Sequence, residues 1–399
     1  MKKQFKKILV IKMRFHGDML LTTPVISTLK QNYPDAEIDV LLYQDTIPIL
    51  SENREIHALY GMKGKKANGL SKACNFIRLL FKLRRNKYDL VVNLADQWMV
   101  SLLVRSIPAQ MKISHKFGHR DSKYWLNSFT HLTEPHGEHV VMNNLSVLEP
   151  LKITNLKTNL TMSYTEEDWK NIDQKLLELG VHSSYVVIQP TARQIFKCWD
   201  DEKFAQVIDA LQSRGYQVVL TSGPSKEDLN CIETVASHCQ TKPITELAGK
   251  TTFPELGALI AHAALFIGVD SAPMHIAAAV NTPIVCLFGA TNNVFWRPWS
   301  DNVVQFWAGD YEAMPPREKL DRTKKYLSII PASDVIEATE KMLPMNIRSI
   351  MTRLWDDFGI LSVQVFSIRW FAAWFFAYCI SMSGKRTADP RLYSIMGWR

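Results

Sequence analysis

The chain of 399 residues is poor in cysteine, with six scattered residues, Cys74, Cys198, Cys231, Cys239, Cys286 and Cys379. None forms a Cys-x-x-Cys pair or stands in a zinc-ligand pattern with histidine, which excludes a disulfide framework and a structural zinc site. Reduced thiols in the cytoplasm are expected. No Gly-x-Gly-x-x-Gly follows a strand, so the dinucleotide fingerprint is missing, and Gly61-Met62-Lys63-Gly64-Lys65-Lys66 lacks the hydroxyl residue and spacing of a P-loop. His115/His119 and His136/His139 have helical metal spacing, but Gly118 and Gly137 indicate loops and no acidic or Cys cluster accompanies them; no metal is expected. Uninterrupted apolar runs of bilayer length are absent too. Ile360–Met382 comes nearest, rich in Trp and Phe, yet it contains Gln364 and Arg369, and a central Arg costs about 2.5 kcal/mol or more. An interfacial or protein-packed helix is expected there. The opening Met1–Lys7 has the basic character of a signal peptide, but Lys12 and Arg14 interrupt the apolar run after it, so a buried first strand is the better account.

What is abundant is positive charge. The formal net charge is +8 and the sequence pI about 9.0, which calls for an anionic partner: nucleic acid, a membrane surface or a phosphorylated substrate. Between Lys63 and Lys87 lie Lys65, Lys66, Lys72, Arg78, Lys82, Arg84 and Arg85 with no acid among them, interleaved with Phe76, Ile77, Leu79, Leu80, Phe81 and Leu83. That is a basic amphipathic helix, either suited to an anionic membrane surface or simply solvated on one face. A nucleic-acid partner is not expected, because no helix-turn-helix, zinc finger or RNP-like motif accompanies the charge.

Short apolar runs alternate twice with helix-period stretches, the pattern of βαβ units in parallel sheets. Strands are expected at Lys7–Met13, Glu37–Leu42 and Leu90–Asn93, with helices near Met19–Asn32, Leu70–Arg85 and Gln97–Arg105. After polar, His-rich sequence and a helix from Thr165, a second series follows. Its strands are Tyr185–Gln189, Gln217–Thr221, Ala264–Val269 and Ile284–Phe288, and its helices lie near Asp200–Arg214, Lys226–Ser237, Phe253–His262 and Pro273–Val280. The expected architecture is α/β, with two Rossmann-like domains over residues 1–165 and 166–345 facing across a cleft, then an aromatic-rich tail over 346–399. Ligands in such sheets sit beyond the carboxyl ends of the strands.

Three loops there carry the chemistry. In Arg14-Phe15-His16-Gly17-Asp18, Gly17 permits a tight turn and close backbone approach, and Asp18 is either a helix N-cap or a base that accepts the proton of an attacking sugar hydroxyl. Arg14 and Gly17, with Arg120, are assigned to the acceptor. After the next domain's first strand, Gln189-Pro190-Thr191-Ala192-Arg193-Gln194-Ile195-Phe196-Lys197 offers Arg193 and Lys197 to neutralise a departing diphosphate, the role a metal plays elsewhere. Gly268-Val269-Asp270-Ser271-Ala272-Pro273-Met274-His275 follows a buried strand and opens a helix whose free N–H groups make an anion site, so a diphosphate is expected near Ser271–Met274. Asp270 orients this loop or meets a sugar hydroxyl, His275 faces the cleft or packs, and Glu227 is a candidate ribose contact.

Together, the Gly17-Asp18 loop leading to Thr23-Pro24, the Lys197-Cys198-Trp199 segment and the Gly268–His275 motif resemble the ADP-heptose:lipopolysaccharide heptosyltransferases, over roughly residues 7–343. Gly17–Lys30 is similar to those members that add a branch heptose to the inner core. The resemblance implies a GT-B fold, no essential metal or other cofactor, ADP-heptose as donor and the lipopolysaccharide inner core as acceptor, joined by inverting direct displacement. It makes Asp18 the base, Lys197 the assistant of the ADP leaving group, Thr191 a donor-phosphate contact, and Asp270–His275 the loop that holds phosphate and heptose. It also implies a cytoplasmic protein lying peripherally on the anionic inner membrane. Another GT-B transferase or a sugar-nucleotide epimerase is the competing enzyme class.

Overall fold

The computed structural model describes residues 4–64, 67–182 and 184–345; the expected helix at Ile360–Met382 lies outside them. Two all-parallel sheets organise the chain. The first contains β1 (Lys7–Ile11), β2 (Glu37–Tyr43), β3 (Ala58–Met62), β4 (Leu90–Asn93), β5 (Met111–His115) and β6 (His131–Thr133) in the order β3-β2-β1-β4-β5-β6. The second contains β7 (Tyr185–Gln189), β8 (Gln217–Leu220), β9 (Leu265–Val269), β10 (Ile284–Phe288) and β11 (Val303–Trp307) in the order β11-β10-β9-β7-β8. Helices α1 (His16–Leu20), α2 (Thr23–Asn32), α3 (Gly69–Arg85), α4 (Trp98–Ser106), α5 (Lys123–Leu126) and α6 (Val140–Leu145) serve the first sheet. The second sheet has α7 (Glu166–Glu178), α8 (Asp201–Ser213), α9 (Lys226–His238), α10 (Phe253–Ala261), α11 (Ala272–Ala279) and α12 (Ala332–Met342).

The period of two along each strand sorts its side chains between two cores. Leu9 and Ile11 of β1 point to one face, where Leu79 and Leu83 of α3, Leu103 of α4 and Trp125 of α5 cover them. Ile8 and Val10 point the other way, into a central core with Leu20, Val25 and Val141. That core continues into the second half, through Val187 and Phe266 of its sheet and Ile172, Leu259 and Ile276 of α7, α10 and α11. On the outer face of the second sheet, Val186 and Ile188 pack with Phe204, Val235 and Val335 of α8, α9 and α12. Three helical layers and two sheets therefore need only three cores, the middle one common to both sheets.

The buried first strand is present, with Ile8–Ile11 fully enclosed. The single helix expected over Met19–Asn32 is two, broken at Leu21-Thr22, because Pro24 near the start of α2 has no N–H to continue a ladder from α1. Four strands escaped the periodicity. β3 contains Gly61 and β6 has three residues, while β5, Met-Lys-Ile-Ser-His, mixes polar and apolar side chains. The edge strand β11 is only half-buried along its length. Among the described residues no helix is long and apolar enough to cross a membrane.

Candidate active site

The strand order of a doubly wound sheet turns back at one junction, and the crevice outside it admits ligands. In the first sheet that junction lies between β1 and β4, in the second between β7 and β9. An ion pair spans each one.

At the first junction, Arg14 after β1 reaches Asp96 after β4, Nη2 to Oδ2 at 2.9 Å. Two groups from the loop after β5 join them: Arg120 donates Nε–H to the Asp96 carbonyl at 2.6 Å, and His119 lies 3.4 Å from Oδ2. Arg14 and Arg120, both assigned to the acceptor, thus meet on one aspartate that the sequence did not single out. Asp18 is half-buried at the third position of α1, its carboxylate accepting the Phe15 N–H at 3.3 Å. Phe15, not Asp18, is thus the N-cap; Asp18 reaches back from the third position to the N-cap N–H, and this contact occupies one oxygen.

Beneath it lies Lys12, 8% exposed, which donates to Asn144 Oδ1 at 3.1 Å while Asn144 donates to the Leu21 carbonyl at the end of α1. Burial pulls the Lys12 ammonium below its ordinary range, and the nearby charge of Asp18 opposes that fall. Lys12 had figured only as an interruption of an apolar run. A charged residue one step past a buried strand was the signal that something there requires a cation.

At the second junction, Lys197 after β7 pairs with Asp270 after β9 at 2.6 Å, with side chains 23% and 9% exposed. Thr191 is buried; its Oγ1 accepts from Gln189 Nε2 at 2.8 Å, and Thr221 donates to Gln189 Oε1 at 2.7 Å, a chain of bonds that fixes the floor of the crevice. Ser271 is the N-cap of α11 but makes no capping bond, and its buried hydroxyl has no partner among the described residues. The same holds for Nδ1 of His275, one turn on, whose burial pushes its pKa down to about 4 and keeps the ring neutral. Unpaired buried polar atoms are costly, so two on the first turn of one helix suit a place where a ligand's polar atoms complete them. Pro273 has no N–H, and Met274 buries its side chain in the central core, so the backbone N–H groups of Ala272 and Met274 are what this turn offers an anion.

The two junctions are brought together through the loop after β1. A Cβ on Gly17 would stand 2.9 Å from His275 Cδ2 and 3.6 Å from the Ala272 Cα. Gly17 is thus required for close approach, not for a left-handed backbone. On either side of it, the Arg193 guanidinium lies 3.6 Å from the centre of the Phe15 ring and His16 stacks on Phe253 at 4.5 Å. Arg193 accordingly bridges the halves. Glu227 is exposed on the first turn of α9, and the structure does not bring it into contact with these groups. Among the described residues no three His, Cys, Asp or Glu side chains gather to hold a metal ion. The histidine pairs fall in strand, turn and N-cap positions, with His139 donating to the Arg297 carbonyl at 2.9 Å and stacking on Trp299.

Two all-parallel sheets, with the loop after β1 packed against the start of α11 in the other half, have the architecture of a GT-B glycosyltransferase. The chain belongs to glycosyltransferase family 9 (heptosyltransferase), whose profile matches residues 76–327. It is 68% identical over 332 residues to lipopolysaccharide heptosyltransferase 3 of Escherichia coli strain K12, covering 83% of this chain and 96% of that one. Among solved structures, a family 9 glycosyltransferase from Veillonella parvula aligns with TM-score 0.73 at 25% identity, over 86% of this chain and 98% of that one. The ADP-heptose lipopolysaccharide heptosyltransferase II of E. coli shares the fold, with TM-score 0.67 at 20% identity over 84% and 98%.

Proposed function

We propose that this enzyme transfers L-glycero-D-manno-heptose from ADP-heptose to the lipopolysaccharide inner core, as the branch heptose on the second core heptose. The observation that carries this reading is the closeness of Gly17 to His275 and Ala272, which packs the loop bearing Asp18 against the first turn of α11, where two buried polar atoms have no partner among the described residues. The high identity to a heptosyltransferase 3 supports the choice of sugar and acceptor.

In the reaction, the acceptor hydroxyl oxygen attacks the anomeric carbon of heptose as the bond from that carbon to the β-phosphate oxygen breaks. The proton passes to the Asp18 carboxylate, and the electron pair leaves with ADP. Negative charge then grows on the diphosphate, where Lys197, the Ser271 hydroxyl and the N–H groups of Ala272 and Met274 stabilise it without a metal. Thr191 contacts the same phosphates. Neutral His275 supplies a hydrogen bond but no charge, and Arg14 and Arg120 engage the phosphorylated acceptor. The enzyme works on the cytoplasmic side, lying peripherally on the inner membrane where that acceptor is anchored.

The test is incubation with ADP-heptose and a lipopolysaccharide lacking the branch heptose, with and without EDTA, reading ADP release and product mass. Acceptor-dependent gain of one heptose that survives EDTA is expected. Transfer only to a core lacking the second heptose would refute the acceptor assignment, and loss of activity with EDTA would refute the metal-free mechanism.

A further inference from the structure

The layer made by α3, α4 and α5 has an outer surface that its own core does not explain. α3 seats Leu79 and Leu83 on the first sheet. At about 100° per residue, Leu70, Cys74, Ile77 and Phe81 fall within about 60° of one another on the opposite side, and all four are exposed, Ile77 at 53% and Phe81 at 59%. A surface helix ordinarily turns its polar face outward. This one carries a second apolar stripe, edged by exposed Arg78 and Arg85 on one flank and Arg84 on the other.

The neighbouring helices extend the pattern. α4 packs beside α3, and α5 beside α4. Trp98 and Tyr124 stack at 5.7 Å while 50% and 39% exposed, and Arg105 lies over the Tyr124 ring. Of the fourteen large apolar or aromatic side chains exposed among the described residues, six lie on these three helices, so the exposure is clustered rather than scattered. Charge follows the same surface. Residues 63–133 contain fourteen Lys and Arg against only Asp89, Asp96 and Asp121, a net +11 that exceeds the +8 of the whole chain. Asp96 is already engaged by Arg14 and Arg120, and Asp89 accepts the N–H groups of Lys6 and Lys7.

We infer that α3, α4 and α5 form the docking face for an anionic phospholipid surface, with Leu70, Ile77, Phe81 and Trp98 entering the headgroup boundary and Arg78, Arg84 and Arg85 pairing with lipid phosphates. Aromatic and aliphatic side chains ringed by arginine without acids match such a surface in both polarity and charge. The face lies on the half that carries Arg14, Asp18 and Arg120, so docking brings the acceptor groups to the membrane where a lipid-linked acceptor is held. This inference rests on the proposed acceptor only for its purpose, not for its geometry.

The full chain is tested by co-sedimentation with vesicles containing phosphatidylglycerol and with neutral phosphatidylcholine vesicles, free of lipopolysaccharide, at low and high salt. Binding to the anionic vesicles alone, weakened by salt, is expected. It should fall at least tenfold in Ile77→Glu/Phe81→Glu and in Arg84→Glu/Arg85→Glu, but not in Lys170→Glu on α7. Activity on a deacylated, soluble core acceptor should be unchanged in both double variants. Undiminished vesicle binding by either double variant overturns the inference. So does self-association of the wild type that Ile77→Glu/Phe81→Glu abolishes, which would make the stripe a contact between copies. If vesicle binding behaves as expected but no heptose transfer occurs with any acceptor, the proposed function fails and the docking face stands.

Discussion

The two strand-order junctions of this enzyme are built from the same parts in opposite states. At β1/β4, half-buried Asp96 is contacted by three cationic or titratable groups, of which Arg14 and His119 are exposed. At β7/β9 one largely buried ion pair, Lys197 with Asp270, stands on the junction whose helix α11 holds two buried polar atoms without partners among the described residues. The contrast fits the proposed division of labour: a lipid-linked oligosaccharide is served by charges that can rearrange, whereas a diphosphate whose charge grows during reaction is served by donors fixed beforehand in a drier site.

The sharpest way to break this comparison is at the base. Asp18→Ala is expected to lower kcat by about 10²–10⁴ while calorimetry finds ADP-heptose affinity nearly unchanged; near-normal turnover would remove Asp18 from the mechanism. Next comes the enclosed pair. Lys197→Met should reduce kcat by about 10²–10³ with little change in the donor KM. It should also cost about 1–3 kcal/mol of stability, because Asp270 is left without its partner. The double variant Lys197→Met/Asp270→Asn should regain most of that stability in denaturant melts and none of the activity. If activity returned, the lysine would be structural.

Gly17→Ala tests the contact between the junctions. Its methyl would press on His275, and a drop in kcat/KM of about tenfold or more is expected with a stability loss of about 1–3 kcal/mol. An unaffected enzyme would mean that the two walls do not meet during turnover. At the first junction, Arg14→Ala and Arg120→Ala should each raise the acceptor KM several-fold and leave donor binding alone; Arg14→Ala should change stability by under about 1 kcal/mol, as exposed pairs do.

A separate effect, on stability rather than turnover, is that of pH. Burial holds His115, His139 and His275 down to pKa values of about 4, below the ordinary value near 6.5. The unfolded chain therefore binds protons first on acidification. These groups cost nothing above about pH 6.5, and each removes up to about 1.4 kcal/mol per pH unit as pH falls from there toward 4. Melting temperature against pH should steepen across that window, less so in His115→Asn.

Much of this was legible in the chain because buried parallel strands are short runs of Val, Ile and Leu, and because the loops that carry chemistry follow them directly. Asp18, Lys197 and the Asp270–His275 turn were singled out that way, and each does follow a strand at one of the two junctions. Lys12, Asn144 and Asp96 were not, since each acquires meaning from a residue far off in sequence: Asn144 lies 132 positions from Lys12, and Asp96 lies 82 from Arg14. Edge strands were missed for a related reason. With one neighbour or a wet face, β6 and β11 need no strong β-forming pattern of their own. The basic helix was recognised, but its sequence gave no way to tell which apolar residues face inward; Leu79 and Leu83 do, while Ile77 and Phe81 do not.

The central core between the sheets has a further consequence for how the molecule comes apart. Side chains from α2 and β1 share it with those from α7 and α10, so neither half can melt without stripping apolar surface from the other. Heating should yield one sharp calorimetric transition despite two sheets, and a cavity cut at Ile172 in the second half should weaken hydrogen-exchange protection in β1 of the first.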